Sequence, residues 1–298
     1  MGGGEAGRSR RREIRVTQSD ETRAQPPARI ARQPEILIRE CRGFDEYDAC
    51  VRLQVEIWGY EVSDTIPLRE FIVIQRIGGQ VIGAFDVAKS QDPAGSSGGM
   101  VGFAMSMPGI LDRKPYLHSH MLAVQPGYRD SGIGRRLKLA QRNEALLRGI
   151  QKMEWTFDPL EIKNAYLNIV RLGAIIHSYT PNFYGVFSSR LQAGLPTDRL
   201  HAEWWMDSPR VRAALSGGSM LLPDIQETIV VPGEIRKWKQ DPSMFDRAAA
   251  LQSQIRERFI DAFSRGLAVV GFARHPGDSA GNKDTSSGVY QLASWDEA

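Results

Sequence analysis

Two histidines, His118 and His120, stand two residues apart shortly before a glycine-containing turn, Arg129-Asp130-Ser131-Gly132-Ile133-Gly134-Arg135. Side chains alternate in an extended chain, so both imidazoles are expected on one face. Imidazole ionises near neutrality, which suits it to take a proton from an ammonium group and leave a nucleophilic amine. The competing reading is structural: one ring packs beneath a sheet and the other hydrogen-bonds a loop. A metal role is not indicated, because no third ligand lies nearby and two histidines leave a zinc site incomplete.

The turn itself suits a diphosphate. A strand ends at Val124 and a helix opens close to Gly134, with Arg-x-x-Gly-x-Gly between them. Glycines let backbone N–H groups approach a phosphate and tolerate positive φ. The first turn of a helix leaves N–H groups without partners, and its dipole adds roughly half a positive charge. Arg135 and Arg136 add charge at the same point. A dinucleotide fingerprint would need a third glycine, and a Walker A loop would need Gly-Lys-Ser or Gly-Lys-Thr; neither is present. The structural alternative is a tight strand-to-helix loop and nothing more.

The elements that must hold these residues follow from hydrophobic period and breakers. A short strand at 36–38 leads into a helix over 44–58 with Phe44, Tyr47, Cys50, Val51, Val55 and Trp58 along one side. A second helix follows Pro67 and stops at Gly78-Gly79. Strands at 80–88 and 100–107 form a hairpin around a Pro/Gly/Ser-rich loop at 92–99. A strand at 116–124, a helix at 133–148, a strand at 152–157, a helix at 162–172 and a strand from Ala174 to Tyr179 complete a mixed α/β sheet with helices on its faces. Beyond it come strands at 203–206 and 229–231, a long helix at 245–263, and a closing strand pair at 268–273 and 289–292.

Composition agrees with a folded protein. Of 298 residues, 42% are hydrophobic and 24% charged, and the net charge is only +3. Arg8, Arg10, Arg11 and Arg12 carry much of that excess, so a general nucleic-acid surface is not indicated. Residues 1–34 are expected to be a solvated, disordered basic leader; contact with RNA or an acidic lipid surface is the weaker alternative. Cys41 and Cys50 lack metal or disulfide spacing and read as reduced thiols. No apolar run is long enough to span a membrane, and a cytoplasmic location is expected.

The run Leu-Ala-Val-x-Pro-x-x-Arg-x-x-Gly-x-Gly at 122–134 resembles the acyl-CoA-binding motif of GNAT acetyltransferases, and the element order over 36–206 is similar to theirs. The resemblance implies an acyl-CoA N-acyltransferase (GNAT) type fold, α/β (α+β), in which a mixed twisted sheet has helices on both faces. It would occupy 35–206, with a C-terminal α+β extension at 207–298 that could cover the sheet edge or build a homodimer. It also implies acetyl-CoA or another acyl-CoA as co-substrate. Arg129, Asp130, Ser131, Gly132, Ile133, Gly134 and Arg135 would contact the pyrophosphate, and Leu122, Ala123 and Val124 would pair with the pantetheine arm. The strand His118-Ser119-His120-Met121-Leu122-Ala123-Val124 is similar to one in arylalkylamine N-acetyltransferases, where such a pair relays the amine proton through water.

Asn164 matches a position at which the family binds the CoA arm; Asn164 and Asn168, four apart, share a helix face, which equally suits plain solvent exposure. The family tyrosine that protonates the leaving thiolate falls here on Ile169. Tyr179 or Tyr184 could reach the sulfur instead, and Tyr184 is the candidate. Arg199 could bind a carboxylate of the acceptor or of a succinyl-type acyl group. Of Trp204 and Trp205, one must face the core. The implied reaction is transfer of a short acyl group to the primary amine of a small molecule by direct attack in a ternary complex. The alternative is a CoA-binding regulatory protein of the same fold with weak catalysis.

Overall fold

Strand-forming residues with alternating burial build one continuous sheet. The computed structural model describes residues 1–2, 34–89, 99–185, 192–218, 220, 222–275 and 286–295; the basic leader and most of the loop after Asp92 lie outside them. The first five strands are β1 (Ile36–Glu40), β2 (Gln80–Asp86), β3 (Met100–Leu111), β4 (Lys114–Val124) and β5 (Lys152–Phe157). The rest are β6 (Ile175–Thr180), β7 (Arg199–Trp205), β8 (Glu227–Val231), β9 (Leu267–His275) and β10 (Ser287–Ser294). Their spatial order is β1-β2-β3-β4-β5-β7-β6-β9-β10-β8. All neighbours are antiparallel except β4 and β5.

Helices cover both faces of this mixed α/β sheet. On one face α1 (Gly43–Trp58) and α2 (Leu68–Arg76) bury Cys50, Leu53, Phe71 and Ile74 against Phe85, Phe103 and Met121. On the other, α3 (Ile133–Leu147) packs Ile133 and Leu137 on Ile82, Ala84 and Ala104. The alternation of β2 residues between the two clusters is the strand period expressed as packing. A larger core joins the second half of the sheet to α4 (Ile162–Ala165), α5 (Pro209–Ser216), α6 (Ile235–Gln240) and α7 (Phe245–Ser264). The strands after Asp207 extend the sheet: β9 meets β6 at Ile176↔Val269, and β10 and β8 follow.

Several expectations are corrected. Phe44 and Val55 of α1 face solvent, at 70% and 47% exposure. The inward face is instead Glu46, Tyr47, Ala49, Cys50, Leu53 and Gln54. Glu46 is buried because it pairs with Arg39 at 2.7 Å and accepts from the Arg42 amide. The helix expected at 162–172 is α-helical only for its first turn, then widens into a π-helical stretch, Tyr166–Arg171. There the Leu172 amide bonds Leu167 O, five residues back. Helices α5 and α6 were not expected, since they are only eight and six residues long. Trp204 is the core member of its pair: it is fully buried and donates to Leu172 O at 2.7 Å.

Candidate active site

The site begins where two strands part. β4 and β5 pair only through Tyr116↔Lys152, Leu117↔Met153 and His118↔Glu154. Beyond that point each stays with its antiparallel partner, β4 with β3 as far as Val124 and β5 with β7 as far as Phe157. The β3–β4 register also slips between Met105 and Ser106, skipping His120, which is the extra residue of a bulge. A bulge bends and twists its strand, which turns β4 away from β5. It also shifts the alternation: Leu117 packs in the α4 to α7 core and Ser119 bonds α3, while after the bulge it is Leu122 that packs beneath α3.

A cleft of about 280 Å³ fills the gap. Its β4 wall is Ser119, His120, Met121 and Leu122, and its β5 wall is Trp155, Thr156 and Phe157. Asn164, Leu167 and Asn168 close it on the helical side, and Trp58, Tyr60, Tyr184 and Arg199 stand at the opposite mouth. The π-helical stretch thus lies against the site, a placement common for π-bulges. Asn168 is buried and lines the cleft. Trp155 Nε1 is a buried donor without a partner there. Both offer polar groups to an occupant of the cleft.

The glycine turn lies at the end of β4. Gly132 has φ +83° and Asp130 φ +61°, and no side chain caps α3. The amides of its first turn therefore remain available. Gly134 is not required by packing: an added Cβ would meet only Leu122 Cδ2, at 3.8 Å. The space above the helix start is kept open beside a residue that lines the cleft, which fits a phosphate-bearing ligand better than a tight loop alone. Asp130 pairs with Lys163 of α4 at 3.2 Å, tying the turn to the helix that carries Asn164.

Not every expected contact is brought to the turn. Arg135 reaches away to donate to Leu215 O at 2.9 Å, and Arg136 donates to Ile36 O at 2.7 Å. Burial, and then the charge of Arg171, lowers the Arg135 pKa below the ordinary arginine value. Arg129 Nε donates to Val124 O at 3.2 Å. The groups left open at the start of α3 are its backbone amides. Ile133 places its side chain in the core, and Ala123 is buried against α1 and α2. Leu122 lines the cleft, whereas Val124 packs beneath α3.

The two imidazoles are neighbours, with ring centroids 6.1 Å apart. His120 lines the cleft and meets Tyr184 edge-on at 6.3 Å. Burial pushes the His118 pKa down to about 4, helped by the nearby charge of His120 and opposed by Glu154. Burial also lowers His120 and His201. Tyr184 Oη lies 3.0 Å from Thr156 Oγ1 across the gap, and the Arg199 guanidinium stacks 5.3 Å from the tyrosine ring. Arg199 is also held by Asp198 O at 2.8 Å.

Tyr179 is committed elsewhere. Its hydroxyl donates to Asp198 at 2.5 Å, its ring stacks on Phe259, and burial raises its pKa. Asp198 is fully buried and also takes Arg256 at 2.8 Å and the Asn182 amide at 2.9 Å. That cluster positions the segment bearing Tyr184.

Lys138 was not expected at the site. It is buried on α3, donates to Ser119 Oγ at 2.7 Å and lines the cleft. A signal was present: Ile133, Leu137, Gln141 and Ala145 mark the buried face of α3, and a lysine beside Leu137 breaks its apolar pattern. Among the described residues, no three His, Cys, Asp or Glu side chains could hold a metal ion, and no helix is long and apolar enough to cross a membrane.

No family model matches this sequence, and no curated protein matches it. Solved structures do. An aminoglycoside 6'-acetyltransferase type Ii is 20% identical, with a TM-score of 0.44 over 58% of this chain and 98% of its own. The ribosomal-protein-S18-alanine N-acetyltransferase from Escherichia coli is 16% identical, with a TM-score of 0.43 over 58% and 96%. A chain of the NatC complex bound to Gag peptide and CoA is 15% identical, with a TM-score of 0.44 over 57% and 98%. These are distant likenesses, and the chemistry is read from this chain's own residues.

Proposed function

We propose that this chain is a GNAT-type acyltransferase that moves a short acyl group from acyl-CoA to the primary amine of a small molecule, by direct attack within a ternary complex. The observation that carries the reading is the parting of β4 from β5 next to an uncapped helix start. The amides from Asp130 to Arg135 would take the pyrophosphate, and the open edge of β4 from Val124 back to Ser119 would take the pantetheine arm. Asn164 and Asn168 would hold that arm from the helical side. At the bulge a strand N–H would polarise the thioester carbonyl, supplying charge stabilisation where the tetrahedral adduct forms.

The acceptor would enter at the aromatic mouth, where Trp58 and Tyr60 stack at 5.2 Å. His120 would take its proton, with His118 behind it. No protein nucleophile is needed for this step, and proximity supplies much of the rate. Tyr184 is the candidate acid for the thiolate, since Ile169 occupies the family position and is fully buried in the core. That absence of a tyrosine also favours a second reading, a CoA-binding regulatory protein, which tight CoA binding without turnover on any amine would establish.

Thermal unfolding with acetyl-CoA, succinyl-CoA and free CoA tests the donor. Ligand at a hundred times its Kd should add about 2.7 kcal/mol, a Tm rise of about 5–10 °C. Gly134→Asp should fold, because the position is open, yet lose that rise, because a carboxylate would face the diphosphate. No rise with any CoA species would reduce the turn to a loop and withdraw the reading.

A further inference from the structure

Lys138 is a buried ionisable group on the wall of the cleft to which the reaction above gives no task. It is 2% exposed and sits one helical turn after Gly134, so the two share a face of α3. Its Nζ donates to Ser119 Oγ at 2.7 Å and lies 3.7 Å from the centre of the Trp155 indole. Ser119 in turn donates to Gln141 Oε1 at 3.1 Å. No carboxylate pairs with the lysine among the described residues; the titratable neighbour that feels its charge is His118. Burial lowers the Lys138 pKa well below the ordinary lysine value, against the pull of the indole face on an ammonium, and so shifts the balance towards the free amine. Desolvation of this kind is how proteins prepare a lysine as a nucleophile.

The placement matters as much as the charge state. Ser119, Lys138 and Trp155 line the cleft together. An arm anchored at the turn and running back along the open edge of β4 passes Leu122 and Met121 before it reaches Ser119, the residue to which Nζ is hydrogen-bonded. Resting on the acyl-CoA reading, we propose that Lys138 is an internal acyl acceptor: with no external amine in the cleft, its Nζ attacks the donor thioester and keeps the acyl group as an amide. The C–N bond forms as the C–S bond breaks, one amine proton passes to the departing thiolate, and the products are N-acyl-lysine and CoA thiol. No other reactant enters. The amide fills the floor of the cleft and stops further turnover, so the modification restrains a donor-loaded protein that lacks acceptor.

The full chain should be incubated with acetyl-CoA between pH 7 and 9 and followed by intact mass and peptide mapping, with thermal unfolding in parallel to report binding. One acetyl group per chain is expected, on the peptide carrying Lys138. Its rate should rise less steeply with pH than that of ordinary lysines, which, protonated below a pKa near 10.4, gain about tenfold per pH unit. Lys138→Met should abolish the mark and keep the acetyl-CoA stabilisation; should that variant not fold, the wild-type map still locates the acetyl group. Stabilisation by acetyl-CoA with Lys138 unmodified, or modified only with the steep pH dependence of a surface lysine, overturns the internal acceptor and leaves the acyl-CoA reading standing. Neither stabilisation nor acylation overturns both.

Discussion

Replacing His118 and His120 together by alanine is expected to lower kcat by about 10²- to 10⁴-fold, the usual worth of a positioned general base, while acetyl-CoA affinity stays within about twofold. The separation follows from the geometry. The donor would be held by the turn, the β4 edge and the two asparagines, none of which depends on an imidazole. The acceptor's proton, in contrast, would be taken by His120, which stands on the cleft wall with His118 6.1 Å from it. Both rings are kept neutral by burial, so each can accept a proton at neutral pH without first losing one. Single variants should divide unequally: His120→Ala carries most of the loss, and His118→Ala, acting through its neighbour, carries less. Thiol release measured over a panel of primary amines, beside CoA binding by calorimetry, checks this. An equal loss in turnover and CoA affinity would show that the histidines hold the structure and move no proton.

Much of this site could be read in the sequence because it is local. A strand, two spaced glycines and a helix are written consecutively, and the spacing of His118 and His120 needs only the period of a strand. What could not be read depends on contacts between distant segments. The bulge at His120 arises from the register of β3 against β4, which no pattern within β4 reveals. The arginines after Gly134 look like phosphate ligands until the carbonyls of Leu215 and Ile36, 80 and 100 residues away, are seen to take them. Tyr179 and Tyr184 are equivalent in sequence, and only Asp198, buried and shared with Arg256, removes the first from consideration. On α1, Phe44 and Val55 matched an apolar spacing yet face solvent, because a buried Glu46 and Gln54 take inward positions satisfied by Arg39 and by the backbone of Ile66. Polar residues that find partners can occupy a core face as well as apolar ones do, and the helical period alone cannot distinguish them.

The same burial that keeps His118 neutral should also make the protein acid-sensitive in a defined window. In the unfolded chain His118 titrates near its ordinary value of 6.5, whereas in the fold it titrates near 4. Above 6.5 both states hold the neutral ring, and its packing contributes in full. As pH falls from 6.5 towards 4, the unfolded chain binds a proton that the folded one refuses, and stability drops; below 4 both are protonated and this contribution has gone. The difference in pKa corresponds to about 3 kcal/mol across that window. His120 and His201, lowered in the same direction by burial, steepen the loss, while Glu154 opposes it at His118. His118→Leu should therefore lose about 3 kcal/mol less than the wild type between pH 7 and 4, seen as a flatter dependence of urea midpoints on pH. Parallel curves for the two proteins would mean that His118 is solvated in the fold, and a solvated ring would be protonated at mildly acidic pH, when the reaction needs it free.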